Sequence, residues 1–458
     1  MGYKTLIKKI EINQFPYTIN IALEEEKINL SEVVIDAKEN PANRIIRAAI
    51  AKRELYLEKL NTYTADFYSK GVIHIKDAPE KFMGQDIGDF DGALDSTRTG
   101  IVYLSETMSK IKYIKPDLIE TVTASKISGD SNGMSFNSAM NVDFNLYNNT
   151  ININNDIISP IADYAFNYYK YKLVGEFYDD EKHLIHKISI IPKRENDRVF
   201  SGSIYIVDDT WALYGIDVEV KGSQIQMPPA DTIRIRQNLT FDVSTEQWLV
   251  RSQTIDFGYS FLGFRGNGSF VANYTNYDIN PELLDQKNKN EILVFEKDAN
   301  KKETEYWNTK RPIPLTSEES KDYIRRDSIE ILRTSKTYLD SIDRKNNRFK
   351  LIDVITGYTF EKSYDKKSLR ISGPLEGLHF NTVQGYNVSL NSVFTKRYND
   401  YKNYISVNGA VNYSFETNRL RGTLGGRYRF NAITNAAVWT DFGVKVQQFN
   451  QSNPISNL

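Results

Sequence analysis

Apolar and polar residues alternate with period two along most of this chain, which predicts strands. In residues 405–415, Ile405, Val407, Gly409, Val411, Tyr413 and Phe415 share one face; Ser406, Asn408, Ala410, Asn412 and Ser414 share the other. A short turn at Glu416–Asn418 follows. Leu420, Gly422, Leu424, Gly426, Tyr428 and Phe430 then oppose Arg421, Thr423, Gly425, Arg427 and Arg429. Tyr386, Val388, Leu390 and Phe394 repeat the theme, as do Val438, Phe442, Val444 and Val446. Upstream, Tyr214, Ile216, Val218 and Val220 alternate with polar residues, and Ile233, Ile235, Leu239 and Phe241 lie opposite Arg234, Arg236, Asn238 and Thr240. Turn clusters at 179–181, 195–197 and 208–210 separate these runs, with no crossover helices, so an antiparallel meander is expected over about 61–280.

The helical period surfaces twice. Asn40 and Pro41 form a start signal for a helix over 40–60, with Ile45, Ile46, Ala49 and Ile50 as its apolar stripe and Arg44, Arg47 and Arg53 on a solvated basic face. Thr316 and Glu319 fit a capping box before Tyr323, Ile324, Ile331, Leu332, Tyr338, Leu339 and Ile342, predicting a helix over about 317–343. Four blocks follow. Residues 1–38, with strands at Tyr17 to Leu23 and Leu30 to Ile35, read as the tail of a β-sandwich. Residues 39–280 are a helix plus an antiparallel β region, 281–349 a charged linker, and 350–458 the start of a barrel. The fold class is therefore mainly β with a few helices.

The segment 350–458 separates two kinds of β protein. A strand in lipid puts apolar groups outward and polar groups toward a wet lumen. Ile405, Val407, Val411, Tyr413, Phe415, Leu420, Leu424, Tyr428 and Phe430 are the candidate lipid-facing residues. Arg421, Arg427 and Arg429 are the candidate lumen-facing ones, where they would favour anions. A soluble sandwich also alternates, but its polar face is rarely so small and its strands are rarely about eleven residues long. About five such segments are present where a membrane barrel needs about eight. An open edge in lipid leaves N–H and C=O groups unpaired, so the chain is expected to be a fragment.

The absence of any run of about 18 apolar residues excludes a transmembrane helix without touching the barrel reading. Lys and Arg number 58 against 59 Asp and Glu, a net charge of -1, which supplies no field for nucleic acid. Cysteine is absent, which removes disulfides, thiolate catalysis and Cys-ligated zinc. The opening MGYKTLIKKIEI has no apolar region of a signal peptide, and the true start is expected to be missing.

Little catalytic chemistry is visible. His183 and His186 form an H-x-x-H, but in a strand that offset puts them on opposite faces. Asp86, Asp89, Asp91 and Asp95 lie around Gly88 and Gly92, yet Ile87 and Arg98 stand where a calcium loop needs acids. Gly263, Gly266 and Gly268 make no dinucleotide fingerprint, and no P-loop or G-x-S-x-G occurs. No catalytic residue, metal site or cofactor is assigned, and no enzyme is expected; a hydrolase with an unrecognised site stands as the enzyme alternative. A second alternative is a soluble periplasmic lipid- or lipoprotein-binding module. Residues 165–280 look like the half-barrel of lipoprotein carriers, which would require a lined apolar cavity.

Longer motifs carry a resemblance. GYKTLIKKIEI and LSEVVIDA, then NPANRIIRAAIAKRE, EKLNTYTADFYSK, YLSETMSKI, ASKISGDSNGMSFN, SPIADYAFNYYKYKLVGEFYDD, HKISIIPKRENDRVFSGSIYIVDDTWALYGIDVEV, YWNTKRPIPLTSEES and FNTVQGYNVSL span nearly the whole chain. The chain resembles the Bacteroidota outer-membrane proteins of unknown function that join a carboxypeptidase-like regulatory domain to a C-terminal barrel. The resemblance implies a secreted precursor whose residues 1–38 are the end of that regulatory sandwich. It also implies a periplasmic portion and an outer-membrane barrel. The resemblance supplies architecture and place and no reaction; the expected partners are outer-membrane lipid and periplasmic proteins, and the expected role of a non-enzymatic barrel with a periplasmic module is transport, envelope assembly or surface display. The resemblance implies no peptidase activity.

Overall fold

The computed structural model describes residue 22 and residues 40–446, apart from 91, 136, 143, 282–291, 382–383, 400–401 and 433. The expected strands at 1–38 therefore lie outside the described residues. The protein is mainly β, 50% strand and 18% helix, and its large sheets are antiparallel. It divides into two compact units, Met1–Asp327 and Ser328–Leu458.

In the first unit, helix α1 (Pro41–Lys59) begins where the sequence predicts, with Asn40 Oδ1 accepting from the Ala42 N–H at 3.0 Å. Strands β1 (Thr62–Asp77), β2 (Gly100–Ile114) and β3 (Asp117–Ile127) follow, then β4 (Tyr169–Tyr178), β5 (Leu184–Pro192), β6 (Ser201–Val207), β7 (Leu213–Lys221), β8 (Ala230–Asp242), β9 (Gln247–Phe261), β10 (Phe264–Ile279) and the short β11 (Leu293–Phe295). Among the described residues they form one sheet in the order β11-β3-β2-β1-β10-β9-β8-β7-β6-β5-β4. From β4 to β10 this is the expected meander. β1 docks on the far side of β10, from Tyr63 opposite Ile279 to Asp77 opposite Arg265. Only β11 pairs in parallel, with β3.

Residues 128–168 depart from the expected run of sheet strands. They form turns, a 3-10 turn at Ala139–Val142 and a small hairpin, Thr150–Ile153 with Asn155–Ile158. Together with α1 they cover one face of the sheet. Ala42, Ile45, Ile46 and Ala49 meet Ile188, Ile204, Ile216, Val218 and Ile235 there, with Leu146, Ile157 and Ile161 filling between. Arg53 belongs to this interior too, which corrects its placement on a solvated face. It is 4% exposed, donating to Asp163 Oδ1 at 2.6 Å and to the Tyr147 carbonyl at 2.9 Å. Arg44 and Arg47 are exposed as expected, Arg47 lying over the Phe166 ring.

The other face of β1–β3 is covered by α2 (Thr304–Lys310) and the start of α3 (Ser317–Thr334), so the charged linker is partly built into the body. Trp307 packs on Tyr68 and Ala124, and Tyr323 on Val72 and Leu104. Between them lies a buried ionic network. Glu106 is 0% exposed and accepts from Arg311 Nε and Nη2 at 2.6 and 2.7 Å, from Tyr68 Oη at 2.7 Å and from Tyr323 Oη at 3.1 Å. Lys70 donates to Glu319 at 2.8 Å. Two acids meet two bases, so no charge is left uncompensated. The capping box forms as predicted, Glu319 accepting from Thr316 N–H and Thr316 Oγ1 from Glu319 N–H. The helix does not run unbroken to 343. Ser335 interrupts it and caps α4 (Lys336–Asn346) by accepting from the Tyr338 N–H.

Three glycines set the close packing of β1, β9 and β10. Gly71 faces Phe270, Gly268 faces Phe257 and Gly266 faces Tyr259. A Cβ on Gly268 would lie 2.2 Å from Phe257 Cζ, and one on Gly266 2.1 Å from the His74 carbonyl oxygen. Only a bare backbone leaves room for those rings.

The second unit holds β12 (Tyr358–Lys362), β13 (Lys367–Ile371), β14 (Leu378–Asn381), β15 (Gly385–Tyr398), β16 (Asn403–Ser414), β17 (Arg419–Arg429) and β18 (Ala437–Gly443). The order is β12-β13-β15-β16-β17-β18, with β14 beside β15. The described strands make an open sheet and do not close into a barrel.

Candidate functional site

The second sheet has two chemically distinct faces, and its register explains why. Ile405 lies opposite Tyr428, Tyr413 opposite Leu420, and Gly409 opposite Leu424. The next strands continue the apolar row, with Phe394 opposite Val407, Leu390 opposite Val411 and Phe442 opposite Leu424. These side chains are not covered: Leu420 is 70% exposed and Leu424 59%, while Ile405, Val407, Val411, Phe415, Tyr428 and Phe430 are exposed as well. Tyr413 is half-buried against Phe415, its ring edge-on at 5.2 Å. All nine residues predicted to face lipid thus belong to one apolar surface, uncovered among the described residues, of the contiguous kind that marks an interaction surface.

The three arginines lie on the opposite face, where Arg421 pairs with Asn412, Arg427 with Ser406 and Arg429 with Tyr404. They do not act as one row. The guanidinium groups of Arg427 and Arg429 gather over the Tyr404 ring, 5.9 and 4.8 Å from its centre. Arg421 stands about 20 Å along the strand from Arg427.

The first unit contains a cavity of about 400 Å³ that the sequence foreshadowed only as a requirement. Seven elements converge on it. α1 contributes Tyr56, Leu57 and Leu60, β1 contributes Tyr63, β2 Tyr113, β7 Leu213, β8 Leu239, β9 Trp248 and Leu249, and β10 Tyr277. Tyr56 stacks on Tyr147 at 5.2 Å and Tyr63 on Tyr113 at 5.1 Å. Several polar groups of the wall are already engaged. Tyr147 Oη accepts from the Leu213 N–H, while Tyr277 Oη donates to the Val250 carbonyl. Gln237 donates to Gln253 and Phe144, and Tyr56 Oη donates to Thr210. The wall offers a guest ring and aliphatic surface beside polar groups such as Asn145, Asn148 and Gln247. Lys59 and Lys115 stand at the rim, held by the Glu246 carbonyl and by Glu58.

The remaining candidates do not converge. His183 binds Asp179 at 2.9 Å and packs on Phe241 and Trp248. His186 lies on Trp211 with Nδ1 on Glu176 at 2.8 Å and Nε2 on Asp208 at 3.0 Å. Both of its ring nitrogens are thereby occupied, and neither serves a nucleophile. Asp95 closes its own loop: the Thr97 hydroxyl and then the Thr99 N–H hold its carboxyl down at about 2. Among the described residues no group of three or more His, Cys, Asp or Glu is placed to hold a metal.

Residues 45–277 match the Family of unknown function (DUF5686), and residues 352–458 match the C-terminal domain of the same family. The chain belongs to this family. The two matches cover, respectively, the body with its cavity and the two-faced sheet. No curated protein matches the chain. Among solved structures, a LolA superfamily protein from Nitrosomonas europaea is similar at 8% identity, covering 53% of this chain and 94% of that one, with a TM-score of 0.16. OmpT, an outer membrane protein of Vibrio cholerae in its trimer form, is similar at 9% identity over 83% and 88%, with a TM-score of 0.09. Neither superposition is close enough to bear on what this member of the family does.

Proposed function

We propose that this protein is a non-enzymatic component of the bacterial outer membrane. The apolar face of the sheet 358–443 contacts lipid, and the unit ending at Asp327 lies in the periplasm. The observation that carries this reading is the uncovered apolar face: strands β15–β18 expose Leu, Val, Ile, Tyr and Phe on one side and Asn, Ser, Thr and Arg on the other. Aromatic residues Tyr413, Phe415, Tyr428 and Phe430 at the strand ends suit the interfacial girdles of such proteins. The resemblance to Bacteroidota outer-membrane proteins with a carboxypeptidase-like domain points the same way. In lipid the edges β12 and β18 need partner strands, because hydrocarbon satisfies no backbone group. The chain has no cysteine, so single cysteines at Val407 and Asn408, neighbours on opposite faces, can carry a fluorophore. In phosphatidylcholine vesicles the label at 407 should be quenched by nitroxide-bearing acyl chains and the label at 408 should not. Equal quenching at both positions would sink the reading.

The cavity supports a second role, uptake of an apolar guest by the periplasmic unit. Its aromatic walls and engaged polar atoms favour an acyl chain over a polar metabolite. A fluorescent fatty acid should bind the full chain and lose affinity when Leu249→Arg places a charge in the cavity. No uptake by the unaltered protein would exclude this role.

A further inference from the structure

We propose that the polar face of the second sheet carries an oxyanion-binding site centred on Arg421. The site stands on its own geometry, whether or not the opposite face meets lipid. Arg421 borders a pocket of about 670 Å³ with Gln384, Asn387, Ser389, Asn412 and Lys445. The amides around it form a closed relay. Gln384 Nε2 donates to Asn412 Oδ1 at 2.8 Å; Asn412 Nδ2 donates to Asn387 Oδ1 at 2.9 Å and Ser389 Oγ at 2.8 Å. Asn387 Nδ2 ends the relay on the His379 and Gly385 carbonyls. The side-chain oxygens of Asn387 and Asn412 are thus already accepting from other amides. Among the described residues no Asp or Glu lines the pocket. Asp441 sits opposite Gly425, four residues along the strand from Arg421 and about 13 Å away.

Arg421 is therefore a fixed charge with no carboxylate beside it among the described residues of the pocket. Its Nη1 is buried and has no hydrogen-bond partner among the described residues. A guanidinium nitrogen withdrawn from water without an acceptor is costly, and a bound anion removes that cost. Planar guanidinium donors match a carboxylate or phosphate two bonds at a time. The Ser389 hydroxyl accepts from Asn412 and keeps its own proton to donate, and Lys445 adds a second cation. Leu378, Phe380, Val444 and Val446 flank the pocket, which exceeds the volume of a single phosphate. The ligand class is an oxyanion carried on a larger organic body, either a free phosphorylated or carboxylated solute or the headgroup of an anionic lipid. The sequence ranked the three arginines together, but Arg427 and Arg429 lie over Tyr404, whereas Arg421 lies over no ring among the described residues.

Calorimetric titration of the full chain with inorganic phosphate tests the site. Saturable binding is expected, weakened about tenfold or more by Arg421→Gln, as for loss of a charge-assisted hydrogen bond. Arg427→Gln, over Tyr404, should bind as the parent does. Thr423→Asp, also on the pocket wall, supplies the missing carboxylate from within. It should abolish phosphate binding while holding or raising Tm, which keeps the test sharp if Arg421→Gln folds poorly. Absence of saturable heat up to about 10 mM phosphate, or unchanged binding in both Arg421→Gln and Thr423→Asp, would overturn the proposal. Flotation with phosphatidylglycerol vesicles separates the two sources. Loss of flotation in Arg421→Gln together with competition by free phosphate identifies a lipid headgroup. Flotation indifferent to both, with calorimetric binding intact, identifies a free solute.

Discussion

Replacing Glu106 by alanine is the most direct test of how the 304–327 segment is held on the sheet. The carboxylate is the hub of four hydrogen bonds, two from Arg311 and one each from Tyr68 and Tyr323. Its removal leaves the Arg311 guanidinium, with an 8% exposed side chain, facing two neutral phenols. Breaking a buried ion pair from one side typically costs about 3–5 kcal/mol, because the surviving charge has lost its partner but not its burial. Trp307, 1% exposed and packed against Tyr68, reports the event by its fluorescence. Urea unfolding followed at Trp307 should shift to markedly lower midpoint in Glu106→Ala, and trypsin should cut after Lys310 sooner. The double variant Glu106→Leu with Arg311→Met removes both charges and should recover much of the loss. A loss below about 1 kcal/mol in the single variant would mean that water reaches the pair, and the burial argument would fail.

The same network predicts an alkaline limit. Burial, and then the charge of Glu106, raise the phenol pKa of Tyr68 and Tyr323 above the ordinary value, and burial raises those of Tyr147, Tyr169 and Tyr171. Above about pH 10 the unfolded chain loses phenolic protons that the folded chain keeps, so stability falls as pH rises, by about 1.4 kcal/mol per unit for each tyrosine. Tyr68→Phe should flatten that slope in urea titrations between pH 9 and 11 (a working range of roughly one unit either side of the free phenol); an unchanged slope would count against it. Gly266→Ala should cost about 1–3 kcal/mol, because the new Cβ meets the His74 carbonyl oxygen at 2.1 Å, whereas Gly258→Ala, with Asp231 no nearer than 3.4 Å, should cost little. Thermal unfolding of the two variants side by side decides it.

Local chemistry was readable in the sequence wherever the cause is local. Asn40, Pro41 and the stripe Ile45, Ile46, Ala49 and Ile50 are enough to place α1, and Thr316 with Glu319 to start α3. The two faces of β16 and β17 follow from period-two alternation, so the pairing of Asn412 with Arg421 and Tyr413 with Leu420 is implied once a short turn joins them. Partners far along the chain could not be read. Nothing near Arg53 announces Asp163, 110 residues on, so a buried ion pair resembled a solvated charge. Nor does residue pattern show that 128–168 leaves the sheet to cover it, or that seven separated elements wall one cavity. Arg427 and Arg429 differ from Arg421 only through Tyr404, a cross-strand neighbour whose significance depends on register.

The pairing of β1 with β10 has a consequence in time as well as space. The hydrogen bond from Thr62 to Asn280 joins residues 218 apart in the chain. At 5–20 residues per second, roughly 10–40 s separate the synthesis of β1 from that of its partner. During that interval β1 to β3 have no closing strand, and the edge that β10 will cover stands open to pairing with other chains. Such long-range closure also slows folding. A chain built this way gains from a chaperone that shields strand edges until β10 has emerged, and deletion of such a chaperone should deplete this protein before it depletes proteins whose strands pair only with their immediate successors.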